Sequence, residues 1–182
     1  MRDIKTGLTL DIDGQVYVVV EFQHVKPGKG SAFMRTKLRN LCNNSIKELT
    51  LRPDTRLEEA YVEQRRLQYL YRESQLLHFI DQDSFEEVTL EAQNLGEDIG
   101  FLKDNLEVNG YFYKGRNLFV KLPNFIKVRV IYSEPGCRAD TVKQPMKSVT
   151  IETGTKVPVP LFIEVGDIIK IDTRSGEYIE RV

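Results

Sequence analysis

The run Gln23-His24-Val25-Lys26-Pro27-Gly28-Lys29-Gly30-Ser31-Ala32-Phe33-Met34-Arg35-Thr36-Lys37-Leu38-Arg39 decides how the rest of the chain is read. Pro27, Gly28 and Gly30 fall between two arms of strand character, Val16 to Val20 before them and Ala32 to Leu41 after, so the tip reads as a hairpin turn. On the outgoing arm Ala32, Met34, Thr36 and Leu38 share one face, while Phe33, Arg35, Lys37 and Arg39 share the other. That period of two belongs to a half-buried strand, with one face packed and the other cationic. From Phe22 to Lys47 there is no Asp or Glu, yet Lys26, Lys29, Arg35, Lys37, Arg39 and Lys47 supply six positive charges in a chain of formal net charge -1. Such a concentration points to a nucleic-acid surface.

Outward from this hairpin the same punctuation repeats. Thr6 to Leu10, the Asp13-Gly14 turn and Val16 to Phe22 predict a hairpin before it, and Asn43 to Ser45 lead into a strand from Ile46 to Arg52. Leu67, Tyr69 and Tyr71 alternate, a turn is expected at Arg72-Glu73-Ser74, and Leu76 to Ile80 return. From Phe85 to Leu102 the apolar spacing loosens to a helical one, which predicts one or two short helices weakened by Gly96 and Gly100. Strands resume at Leu106 to Tyr113 and Asn117 to Leu122 around Lys114-Gly115. Ile126 to Tyr132, Val149 to Glu152, Lys156 to Val165, Ile168 to Asp172 and Glu177 to Val182 complete the pattern, and a polar loop spans Cys137 to Lys147. Many short strands and little helix predict an all-β chain of small barrels, divided at 1–63, 64–126 and 127–182. Each barrel would hold roughly 55 to 65 residues, where a single core is only marginally stabilising.

Charge supports that division. Residues 1–63 carry ten Lys/Arg against nine Asp/Glu, residues 64–126 seven against ten, and residues 127–182 nine against eight. In the first segment most of the positive charge lies on one hairpin, so the unit is dipolar and can orient on RNA phosphate. Cys42 and Cys137 stand far apart with no Cys/His cluster, which argues against a disulfide framework or a zinc site and fits a reducing, cytoplasmic compartment. No stretch approaches the roughly 20 apolar residues of a membrane span, so no membrane partner is expected.

Enzymatic signatures are missing. Gly28-Lys29-Gly30-Ser31 shares part of a phosphate-binding loop, but Gly30 interrupts the motif and a strand follows where a helix is needed. His24 and His78 each sit singly in strand-like runs and read as structural or surface residues. The acidic pairs Asp81/Asp83 and Glu86/Glu87 read as solvated turn and helix-start residues rather than acid/base catalysts. No catalytic residue, cofactor or metal is expected.

The tip Val25-Lys26-Pro27-Gly28-Lys29-Gly30 followed by Ala32-Phe33 and Arg35, and the C-terminal run Lys156-Val157-Pro158-Val159-Pro160-Leu161-Phe162 through Gly166-Asp167 to Asp172-Thr173-Arg174-Ser175-Gly176-Glu177-Tyr178, resemble the bacterial elongation factor P family. The resemblance covers essentially the full length. It implies an N-terminal SH3-like (KOW-type) domain and two OB-folds in an L shape. It also implies a non-enzymatic factor that binds the 70S ribosome and ribosomal RNA beside the peptidyl-tRNA and relieves stalling at consecutive prolines. By the same resemblance Lys29 matches the lysine modified by a separate enzyme, with the chemistry left open. Lys26, Pro27, Gly28, Gly30, Arg35, Lys37 and Arg39 fall to tRNA and rRNA contact, and Asp140, Thr141, Tyr178 and Arg181 to the small subunit. The factor is expected to act as a monomer. One departure stands out: Val142-Lys143-Gln144-Pro145-Met146-Lys147 has no glycine where many members carry a glycine-rich loop.

Two rival readings share the fold. A paralogue of the elongation-factor-P-like kind would serve a different client, and the lysine tip and the Ser175-Gly176-Glu177-Tyr178 ending count against it. A general OB-fold RNA-binding protein would interleave aromatic and basic residues along a barrel face. Tyr69, Tyr71, Tyr111, Phe112 and Tyr113 could be so read, although alternation turns several of them inward and their segment is net acidic.

Overall fold

The computed structural model describes residues 4–26, 28, 32–52, 55, 57–134 and 146–182. The tip residues Pro27, Lys29 and Gly30, and the loop residues Asp140 and Thr141, lie outside that set. The described chain is all-β, with strands in three five-stranded sheets and two short 3-10 helices, Ala92–Asn94 and Gly96–Phe101. Two compact units are present, residues 1–64 with 110–119, and residues 65–109 with 120–182.

In the first unit β1 (Thr9–Ile12), β2 (Gln15–Val25), β3 (Phe33–Asn40), β4 (Ile46–Leu51) and β5 (Glu58–Glu59) are ordered β4-β3-β2-β1-β5. Asp13 and Gly14 have φ of 55° and 78°, the two consecutive positive values that a tight two-residue hairpin turn requires. Leu10, Tyr17, Val19, Met34, Leu38 and Leu51 form the core. Thr36 is also fully buried, and its hydroxyl donates to the Leu49 carbonyl at 2.8 Å, so the polar atom is satisfied. Buried Asn40 closes the β3–β4 turn by accepting from the Cys42 and Asn43 amides at 2.8 and 3.3 Å.

The second sheet is ordered β10-β9-β6-β7-β8, from β6 (Glu63–Glu73), β7 (Leu76–Asp81), β8 (Glu87–Glu91), β9 (Glu107–Tyr113) and β10 (Arg116–Lys121). Two expectations need correction here. The turn after β6 falls at Ser74-Gln75, one step later than expected, because Ser74 adopts the positive φ of 53°. Residues 87–91 form a strand, not a helix, since Val88 and Leu90 pair with Phe79 and Leu77 across β7. Only residues 92–101 coil, as 3-10 turns. Asp81 accepts from the Asp83 and Ser84 amides at 2.9 and 3.1 Å, which holds its carboxyl below the usual range and makes it a turn-closing group.

The third sheet is ordered β13-β12-β11-β14-β15, from β11 (Phe125–Ser133), β12 (Met146–Ile151), β13 (Lys156–Pro160), β14 (Ile168–Asp172) and β15 (Glu177–Arg181). β13 also approaches β15, which closes the sheet toward a barrel. Inward residues alternate through Ile126, Val128, Val130, Val149, Ile151, Val157, Val159, Ile169 and Ile171. Nearby, the Gly100 carbonyl accepts from the Thr153 and Thr155 hydroxyls, both at 2.6 Å. Among the described residues no helix is long and apolar enough to cross a membrane, and no cluster of His, Cys, Asp or Glu could hold a metal ion.

Candidate nucleic-acid interface

The β2–β3 hairpin places its cations by register. Residues His24 and Val25 pair with Met34 and Phe33, so the ladder runs to the base of the tip. Lys26 and Gly28 are exposed, and a Cβ added at Gly28 would meet nothing within 4 Å. The expected alternation holds for Met34, Thr36 and Leu38, which are buried, and for Arg35 and Arg39, which are exposed; Lys37 is half-buried. Ala32 departs from the pattern and is exposed, because β3 begins only at Phe33.

The cross-strand neighbours divide this cationic row. Arg35 lies opposite Gln23 on β2 and Thr50 on β4. Arg39 lies opposite Val18 and Ile46. Lys37 lies opposite Glu21 and Glu48. Directly opposed side chains have Cβ atoms about 4.5–5.5 Å apart, so the two glutamates flank Lys37 and offset part of its field. Among the described residues none of Arg35, Lys37 and Arg39 is held by an ion pair; Arg35 and Arg39, with no acid opposite them, are the two whose charge is available to an outside anion. A shallow groove beside this row is lined by Glu21, Phe22, Gln23, Arg35, Thr36, Lys37 and Glu48.

At the other end of the chain, a register shift between Lys170 and Ile171 changes which residues of β15 share a face. Tyr178 opposes Ile171 and Arg181 opposes Ile169, although the two are three residues apart. The irregularity therefore puts Tyr178 and Arg181 on one side of the strand. Their surroundings differ. Tyr178 is half-buried against the third core, whereas Arg181 is exposed, with Asp167 at 3.6 Å and the Phe162 ring centroid at 5.5 Å.

The remaining sequence candidates resolve into structure. His24 is exposed and meets Phe22 edge-on at 5.9 Å. His78 is buried, stacked on Tyr71 at 4.5 Å, with Nδ1 at 2.5 Å from Glu87. Tyr69 and Phe112 are buried, Tyr111 stacks on Phe119, and the Tyr113 hydroxyl donates to Asp11 at 2.9 Å, so of the five only Tyr71 is largely exposed and they form no continuous stacking platform.

Three family models match the chain. Residues 1–57 match the elongation factor P KOW-like domain, residues 62–120 the elongation factor P OB domain, and residues 126–181 the elongation factor P C-terminal domain. The chain is 48% identical over 180 residues to elongation factor P of Clostridium tetani and 47% identical to that of Clostridium kluyveri, in each case over 99% of this chain and 97% of the relative. Among solved structures, eukaryotic translation initiation factor 5A from Methanococcus jannaschii superimposes with a TM-score of 0.54 at 23% identity, covering 66% of this chain and 90% of that one. That last likeness concerns the fold alone.

Proposed function

The chain belongs to the elongation factor P family, and from that premise we propose that it binds the 70S ribosome beside the peptidyl-tRNA and promotes peptide-bond formation at consecutive prolines. It does so as a non-enzymatic factor. Proline is a poor partner in bond formation because its ring fixes φ and limits the geometries open to the nascent chain. Restraining the tRNA acceptor end restores a reactive arrangement, and positioning alone can contribute several kcal/mol without a catalytic side chain. In this reading the segments 1–63, 64–126 and 127–182 are the working domains of a cytoplasmic monomer. Lys29, modified by a separate enzyme, is the residue presented, and Lys26, Pro27, Gly28 and Gly30 shape the tip. Asp140, Thr141, Tyr178 and Arg181 serve the small subunit.

The observation that carries the reading is the pair Arg35 and Arg39, exposed and without an opposing acid on the strand leading from the tip. Phosphate contacts from such a row align a hairpin on RNA without reading its sequence. The test is reconstituted translation of a message with three consecutive prolines. Arg35→Glu with Arg39→Glu should abolish the acceleration while a message without proline runs is translated as before. Full acceleration by the doubly reversed factor would defeat the reading.

A further inference from the structure

We propose that the outer face of β11 and β14 is a second RNA-binding surface, which takes a single strand with phosphates on Lys127 and Arg129 and one base stacked on Phe125. It goes beyond the hairpin reading and stands independently of it. Phe125, Lys127 and Arg129 alternate outward on β11, each exposed, while Ile126, Val128 and Val130 turn into the core. The register sets Lys127 directly opposite Lys170 and Arg129 opposite Ile168. Like charges opposed across a ladder destabilise a sheet. Glu180, 2.9 Å from Lys170, offsets one of the two charges, which leaves a cation over for an outside anion.

The aromatic on the same face is 45% exposed. Lys170 Nζ lies 5.3 Å and the Arg174 guanidinium 5.9 Å from the Phe125 ring centroid, so two cations flank the ring. Acidic groups are present, and each engages a particular partner. Asp172 is bound by Arg174 at 2.5 Å, Glu180 by Lys170 at 2.9 Å, and Glu152 lies 3.5 Å from Lys103 while accepting from the Arg129 amide at 3.3 Å. Lys170 first, and then the charge of Lys127, holds the Glu180 carboxyl below its usual range, so these three groups share one field. Among the described residues Lys127 and Arg129 themselves have no ion pair.

The chemistry matches single-stranded RNA. Its backbone supplies closely spaced anions, and every base offers a π-face to an exposed ring. Exposed Ile168, opposite Arg129, is the apolar neighbour on this face, but the three cations Lys127, Arg129 and Lys170 outnumber it, whereas the core of a protein interface is depleted in charge.

The test uses the full chain carrying Lys26→Glu, Lys29→Glu, Arg35→Glu, Lys37→Glu and Arg39→Glu, so that the cations of the hairpin are removed, with a fluorescein-labelled oligoadenylate as the probe. Binding is followed by anisotropy between about 50 and 200 mM salt. Lys127→Glu with Arg129→Glu should weaken binding at least tenfold and make the salt slope shallower by about 1.4, the value for two phosphates on a single strand. Phe125→Ala should weaken it about fivefold or more with the slope unchanged, and Phe125→Tyr should restore binding. An unchanged melting temperature shows that each variant is folded. RNA affinity indifferent to both changes would overturn the proposal. So would a Lys127/Arg129 loss without a change of slope, or variants that keep RNA binding but lose capture by ribosomal proteins or by anionic vesicles. Because the readout is an RNA oligomer, proline rescue can fail or succeed separately.

Discussion

Lys37 lies directly across the β3–β4 ladder from Glu48, whereas Arg35, two residues nearer the tip, faces Thr50. Glu21 flanks Lys37 from the other side. The row of three cations is thus unequal. Arg35→Ala and Arg39→Ala should each make the salt dependence of ribosome binding shallower by about 0.7–0.9, the range for one phosphate contact on single-stranded or duplex nucleic acid. Lys37→Ala should change it by less than half as much. It should instead cost roughly 0.2–1 kcal/mol per lost cross-strand pair in denaturant unfolding. Equal slopes for all three variants would show that the glutamates do not hold Lys37.

The carbonyl of Gly100 receives two hydroxyls, and a Cβ placed on this residue would lie 2.6 Å from Thr155 Oγ1. Thr155 is β-branched and stiff at χ1, so the contact cannot be relieved by a simple side-chain swing. Gly100→Ala should destabilise by about 1–3 kcal/mol in chemical unfolding. Thr155→Ala in that background should recover part of the loss. A neutral Gly100→Ala would mean that the 3-10 segment shifts freely.

Asp172 is the clearest acid-sensitive group. The Arg174 guanidinium bound to it, followed by the Arg174 backbone amide, lowers its carboxyl from the ordinary value near 3.8 to about 2. A depressed folded-state value means that its contribution is fully present above about pH 4 and is lost as pH falls toward 2. Asp172→Asn should therefore lower the melting temperature at pH 6 while leaving it nearly unchanged at pH 2. Parallel melting curves for the two proteins across that window would contradict this.

Tyr178 and Arg181 share a face but should separate in experiment. Tyr178 packs on the third core, so Tyr178→Ala should cost stability, and Tyr178→Phe should keep it. Arg181 is exposed beside Asp167 and Phe162, and Arg181→Ala should change stability by less than about 1 kcal/mol. Any loss of ribosome affinity in Arg181→Ala then reports contact directly. If only Tyr178→Ala weakens binding, and does so in proportion to unfolding, this end of the chain is no anchor.

Local chemistry made most of the fold legible. Asp13-Gly14 and Lys114-Gly115 sit at positive φ where their residue types suggested turns, and the alternation of Met34 to Leu38 settled which side of β3 packs. The misreading at residues 87–91 has a nonlocal cause: Val88 and Leu90 fit a loose helical spacing in isolation, and only the β7 partners select the strand. The site was legible as a cationic face, but not in its gradation. Glu21 and Glu48 are distant from Lys37 in sequence and meet it only through register. The Lys127–Lys170 pair was hidden for the same reason, and the β15 irregularity that aligns Tyr178 with Arg181 leaves no simple period to detect.

The central claim is that the hairpin tip acts through Lys29, and one comparison addresses it. The factor and its Lys29→Ala variant are purified from the native cell, brought to equal ribosome occupancy and supplied to reconstituted translation of a triproline message. A turn residue between glycines is expected to alter folding by no more than about 0.5 kcal/mol when replaced, so matched occupancy is attainable. The account predicts that synthesis through the prolines slows sharply with Lys29→Ala, that a proline-free message is unaffected, and that Lys26→Ala weakens binding more than it removes rescue. Equal rescue by the two proteins at equal occupancy would contradict it.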